Sequence, residues 1–175
     1  LPGAGKTSFV RHVAQSLNLP ILNFDLATMS NKDFSNAWTS YSCNAPCIYL
    51  FEDIDAVFFN RQNRIRQDGL TFDCFLNHLD GINKDVGIII FITTNHLEQI
   101  DSALIDRPGR IDKVMHFDYI SQDIKIQMAE NILKGYPDCI KEILADNNNY
   151  TSAQFERKCI DILFELKDRN EEKRT

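Results

Sequence analysis

A chain of 175 residues can build one core and a small appendage, but not two full cores. An apolar fraction of 43% and a charged fraction of 25% are those of an ordinary globular protein, and they exclude a disordered or fibrous chain. The formal net charge of -6 argues against a surface devoted to neutralising a nucleic-acid backbone, which needs clustered Lys and Arg.

After an opening glycine-rich loop, Phe9, Val10, Val13, Ala14 and Leu17 recur at helical spacing, which predicts a helix over 7–17 stopped by Pro20. A strand is expected at 21–26. Ser30 with Asp33 three residues on has the form of a helix N-cap, so 31–41 reads as a short helix, followed by a buried strand at 48–51. Phe72, Phe75, Leu76 and Leu79 share one face of a helix expected over 68–79, with Gly81 placed for a left-handed cap. The run 86–93, with four isoleucines and a phenylalanine, is too continuously apolar for a one-sided strand and suits the centre of a parallel sheet. Another strand is expected near 114–117.

Beyond Ser121 the period turns wholly helical, through Ile124, Met128 and Ile132, then Ile140, Ile143 and Leu144. Thr151 and Gln154 form a capping box ahead of a helix carrying Phe155, Cys159, Ile162, Leu163 and Leu166. Strands alternating with helices predict an α/β fold, a parallel sheet flanked by helices over residues 1–119, with a helical lid over 120–175. The five cysteines, Cys43, Cys47, Cys74, Cys139 and Cys159, form no C-x-x-C pair and read as reduced intracellular thiols. No apolar run is long enough to span a bilayer, and no charged-then-apolar leader opens the chain.

Chemistry concentrates in four places. Pro2-Gly3-Ala4-Gly5-Lys6-Thr7-Ser8, entering a helix, has the form of the end of a phosphate-binding loop. Small residues let backbone N–H groups turn inward around phosphates, Lys6 supplies positive charge to the outer phosphates, and the Thr7 hydroxyl can ligate Mg2+. The chain begins inside this motif, so the strand that leads into such a loop is expected upstream of Leu1. Glu52 and Asp53 stand together at the end of a buried strand, where a magnesium-binding and a water-activating carboxylate are needed side by side. Asn95 ends the most apolar strand with a side chain that can orient water against a terminal phosphate. Arg107-Pro108-Gly109-Arg110 presents two cations on a turn fixed by proline and glycine.

Taken in order, these segments resemble the Walker A, Walker B, sensor 1 and second region of homology of AAA ATPases, the last running from Asp101 to Asp112. Within that family the chain is similar to the Bcs-type group, mitochondrial inner-membrane chaperones that move a folded iron–sulfur subunit across the membrane. Three details carry this: the order Glu52-Asp53, reversed from the common Asp-Glu; Leu76-Asn-His-Leu-Asp-Gly81 with Thr93-Thr-Asn-His96; and Thr151-Ser-Ala-Gln154. The stretch between Phe24 and Ala45 contains no aromatic-apolar-glycine step of the kind with which threading unfoldases grip an extended chain. Asp106 is one residue more than the family's usual Ala-Leu-Ile-Arg-Pro-Gly-Arg.

The resemblance implies ATP and Mg2+ as nucleotide and metal, bound by Pro2 to Ser8 with Thr7 and Glu52 on the metal. It implies Asp53 and Asn95 acting on the attacking water, and Arg107 and Arg110 reaching the neighbouring subunit of a homo-oligomeric ring. A protein substrate is implied, and nucleic acid is disfavoured. If the resemblance extends ahead of Leu1, it implies a membrane anchor there and a place at the mitochondrial inner membrane; otherwise the reading is cytoplasmic. The competing readings are a general AAA unfoldase or protease-linked remodeller, and a nucleic-acid motor for which Arg61, Arg64 and Arg66 are the only basic cluster.

Overall fold

The computed structural model describes all residues except 43, 60, 61, 81–86, 106–109 and 173–175, and the side chains of 103 and 168–172 are left aside. The chain divides into two compact units, Thr7–Met115 on one side and Leu1–Lys6 with His116–Thr175 on the other.

In the larger unit, helix α1 (Lys6–Leu17) leads to strand β1 (Ile21–Asn23), helix α2 (Asn31–Ser42), strand β2 (Cys47–Phe51) and the single turn α3 (Ile54–Val57). A small hairpin of β3 (Phe58–Phe59) and β4 (Gln62–Asn63) precedes α4 (Phe72–Leu79), β5 (Ile88–Ile92) and α5 (Ser102–Ile105). Strands β1, β2 and β5 form a three-stranded sheet in that order, with both pairings parallel.

Every residue of β2 is buried, and its alternating side chains explain why. Ile48 and Leu50 point to one face and pack with Val10 and Ala14 of α1. Cys47, Tyr49 and Phe51 point to the other, joining Phe24, Phe34 and Phe75 from the α2 and α4 side. Helices thus cover both faces of the parallel sheet, the arrangement that near-continuous apolar strands require.

Four segments differ from the expectation. The first strand stops at Asn23 rather than Leu26, because the Leu26 amide bonds the Phe24 carbonyl at 3.0 Å and turns the chain. Helix α4 starts at Phe72 rather than 68: the Leu70 amide is taken by Met29 O and the Thr71 amide by Asn31 Oδ1, both at 2.8 Å. Thr71 then caps the helix by accepting from Cys74 N. The run expected at the sheet centre is β5, flanked among the described residues by β2 alone, with Ile89 and Ile90 exposed. The expected strand at 114–117 is absent; Val114 and Met115 are exposed, so no burial favours a strand there. Gly81, the expected left-handed cap, lies outside the described residues, as does Cys43. Cys74, Cys139 and Cys159 form no disulfide.

The smaller unit is helical after its opening loop: α6 (Gln122–Ile132), α7 (Pro137–Leu144) and α8 (Ser152–Glu172). Its core is Ala129, Leu133, Ile143, Phe155 and Cys159. The capping box at the start of α8 forms in both directions, Thr151 N to Gln154 Oε1 at 2.9 Å and Gln154 N to Thr151 Oγ1 at 3.4 Å. Among the described residues no helix is long and apolar enough to cross a membrane.

Candidate functional site

The carboxyl ends of parallel strands are where open α/β sheets expose polar groups to ligands. Here β2 delivers Glu52 and Asp53 as it leaves the sheet. Asp53 adopts a left-handed backbone, φ 47° and ψ 51°, unusual for a residue with a side chain, and the turn sends the chain into α3. The bend is held from β5: Thr93 N bonds Phe51 O at 2.9 Å, Ile54 N bonds Thr93 O at 3.0 Å, and Asp53 N donates to Thr93 Oγ1 at 3.1 Å.

Around this bend the predicted residues fall into two contacts. The Thr7 hydroxyl, in the first turn of α1, donates to Glu52 Oε1 at 2.5 Å, and the Asn23 carboxamide at the end of β1 lies 3.4 Å from Glu52 Oε2. Asn95 Nδ2 donates to Asp53 Oδ1 at 3.0 Å. Three strand ends and a helix N-terminus therefore supply a hydroxyl, two carboxylates and two carboxamides. Asp55, buried in α3, accepts from Thr94 Oγ1 at 2.7 Å and from Asn95 N at 3.1 Å.

The loop ahead of α1 is shaped by its glycines. Gly3 has φ +70° and Gly5 φ +98°, conformations that glycine alone takes without strain. A Cβ added at Gly5 would meet nothing within 4 Å, so the loop is open at that point. Lys6 Nζ donates back to Leu1 O at 2.9 Å, arching the side chain over the loop. At the far side, Ala153 N at the start of α8 donates to Gly3 O at 3.0 Å. Pro2 and Ser8 are exposed, and Ala4 is buried.

The arginines are placed differently. The Arg110 side chain is 3% exposed and makes a two-bond pair with Asp80, Nε to Oδ1 at 2.7 Å and Nη2 to Oδ2 closer still. Arg107 lies outside the described residues, with Asp106, Pro108 and Gly109.

Sequence reasoning did not single out Asn23, Asp55, Thr93 or Asp80 as site residues. Asn23 left a faint signal, a polar residue closing an apolar strand, and Asp55 another, a third acid two positions after Asp53. Thr93 and Asp80 stood inside segments that carry the family resemblance, but nothing there gave either a role at the site.

A hard cation is held by oxygen ligands, and Mg2+ sites use one or two protein groups together with substrate phosphates. The hydroxyl of Thr7 against the carboxylate of Glu52 fits that donor set.

Residues 1–119 match the ATPase family associated with various cellular activities (AAA), and the chain belongs to that family. It is an AAA ATPase domain with the α/β fold of a parallel sheet between helices and a C-terminal helical region. Among characterised relatives, it is 34% identical over 152 residues to the mitochondrial chaperone BCS1 of Bos taurus, an alignment covering 83% of this chain and 36% of that protein. It is 41% identical over 122 residues to the probable mitochondrial chaperone BCS1-A of Dictyostelium discoideum, covering 63% and 28%. The ribosome biogenesis ATPase RIX7 of Saccharomyces cerevisiae is 27% identical over 143 residues, covering 77% of this chain and 17% of RIX7. The chain thus spans about a third of the length of the BCS1 proteins it matches.

Proposed function

We propose that this domain hydrolyses ATP with Mg2+ in an oligomeric ring and couples hydrolysis to protein translocation or remodelling of the BCS1 kind. The observation that carries the reading is the pairing of Thr7 with Glu52 beside that of Asn95 with Asp53. The amides from Gly3 to Lys6 cradle the phosphates between Pro2 and Ser8, and the Lys6 ammonium neutralises charge on the outer ones. Thr7 and Glu52 hold Mg2+, which when bound offsets charge building on the phosphate oxygens. Asp53 accepts a proton from the attacking water as the bond to the leaving diphosphate breaks, and the Asn95 carboxamide orients that water. Such catalysis rests on placement and charge. Arg107 and Arg110 of an adjacent subunit complete the charge stabilisation, a contribution worth about a thousandfold in rate in related chemistry.

The likeness to mitochondrial chaperones of the BCS1 kind supports a mitochondrial chaperone role, and the polar α2 segment, lacking an aromatic-apolar-glycine step, supports handling a substrate without threading it. The match to RIX7 favours a second reading, a general AAA remodeller outside mitochondria.

The test is turnover of MgATP by the full-length protein and by two variants. Lys6→Ala should lose nucleotide binding. Asp53→Asn should bind ATP with unchanged affinity yet hydrolyse it at least about a hundredfold more slowly, the usual range for a lost general base. Normal turnover by Asp53→Asn removes Asp53 from the reaction.

A further inference from the structure

We infer that Asp55 is a positioning residue of this site, acting through Asn95; the inference rests on the ATPase reading above. Asp55 is 7% exposed, and a buried carboxylate is costly unless its oxygens are satisfied. Its Oδ1 takes both the Thr94 hydroxyl and the Asn95 amide. These two donors belong to the stretch where the chain has left β5. Thr94 Oγ1 in turn accepts from His96 N at 3.0 Å, so a relay runs from His96 N–H through the Thr94 hydroxyl to Asp55. Hydrogen bonds in such chains polarise and strengthen one another.

The consequence is geometric. Asn95 is gripped by two acids of the same bend, its backbone N–H by Asp55 and its side-chain amide by Asp53. Asp53 reads the functional end of Asn95, while Asp55 sets where that end starts from. Without Asp55 the backbone at Thr94 and Asn95 loses both bonds to α3, and the carboxamide no longer has one position from which to meet Asp53 and a water. A misplacement of about 1 Å in a catalytic group can cost about a hundredfold in rate. Asp55 touches neither phosphate nor water in this scheme, so its effect belongs to kcat rather than to nucleotide binding.

The experiment uses the full-length protein, and wild-type turnover is measured first; its absence overturns the ATPase reading and this role with it. Given turnover, Asp55→Ala should lower kcat about ten- to a hundredfold while KM for ATP changes less than about twofold, and Asp55→Asn, which keeps an acceptor oxygen, should recover most of the rate. Asn95→Ala added to Asp55→Ala should cost little more than Asn95→Ala alone. Thr94→Val, which removes one donor and keeps the shape, gives a milder version of the same pattern and serves if Asp55→Ala does not fold. Wild-type kcat in Asp55→Ala overturns the inference, as do rate losses that multiply in the double variant, since a structural role independent of Asn95 would give that result.

Discussion

The Arg110 guanidinium, predicted from its motif to face a neighbouring subunit, is held by the Asp80 carboxylate at the end of α4 of its own chain. The Arg110 side chain is nearly inaccessible, whereas that of Asp80 keeps 27% of its surface, so the two partners are not equivalent. Delivering Arg110 to a neighbour requires this pair to open.

Asp80→Ala removes the two-bond partner of a buried cation and should destabilise the chain by about 3–5 kcal/mol, more than Arg110→Ala, which leaves a carboxylate that water can reach. Urea unfolding of both variants measures the difference, and equal losses would contradict the burial asymmetry. Mixing Arg110→Ala subunits with Lys6→Ala subunits then decides the role of the released arginine. Recovered turnover at hybrid interfaces means that the pair opens in the ring; no recovery means that Arg110 does not act on a neighbouring subunit.

Gly3 and Gly5 both sit at positive φ, yet their surroundings differ. A Cβ at Gly3 would stand 3.1 Å from Ala153 Cβ and 3.4 Å from Thr151 Oγ1, at the capping box of α8. Backbone strain alone should cost either alanine variant about 1–2 kcal/mol. Only Gly3→Ala adds a collision, so Ala153→Gly should restore part of its loss and none of that of Gly5→Ala. Thermal unfolding of the two double variants is the measurement; equal rescue would show that contact with α8 does not matter.

How much was legible in advance follows from what kind of constraint each residue obeys. The loop, the acidic pair and Asn95 are local words: phosphate and metal chemistry require particular residue types at short spacing, and the contacts of Thr7 with Glu52 and of Asn95 with Asp53 join residues named from sequence. Capping is local too, and both arms of the Thr151–Gln154 box appear. Partnerships across long chain separations leave no such mark. Nothing in Asp80 announces Arg110, and nothing in Asn31 announces that its carboxamide takes the Thr71 amide and delays α4. An apolar run such as that of β5 reports preference for burial and not which strands stand beside it.

Acid titration should single out the smaller unit. The Asp146 carboxyl receives bonds from Lys158, from the Tyr150 hydroxyl and from the Asn148 amide, and these hold it far below the usual carboxylate range. A folded-state value below the unfolded one, which is about 3.9, means stabilisation fully present above that pH and lost as pH falls toward the folded value. The bond to Asp146 also raises the Lys158 ammonium, whose contribution is complete below its unfolded value of about 10.4 and fades as alkali passes the folded one. Asp146→Asn should therefore unfold at lower urea than wild type from about pH 5 to 9, with the gap closing only in stronger acid or alkali. Identical midpoints at pH 7 would show that the Lys158–Asp146–Tyr150 cluster adds nothing.

The composition of β5 has a consequence for handling the protein. Ile88-Ile-Ile-Phe-Ile92 contains no charge, proline or glycine. Segments of this length and character template cross-β stacking when an unfolded chain bares them. During synthesis or partial unfolding, this is a stretch from which copies of the chain would seed aggregates.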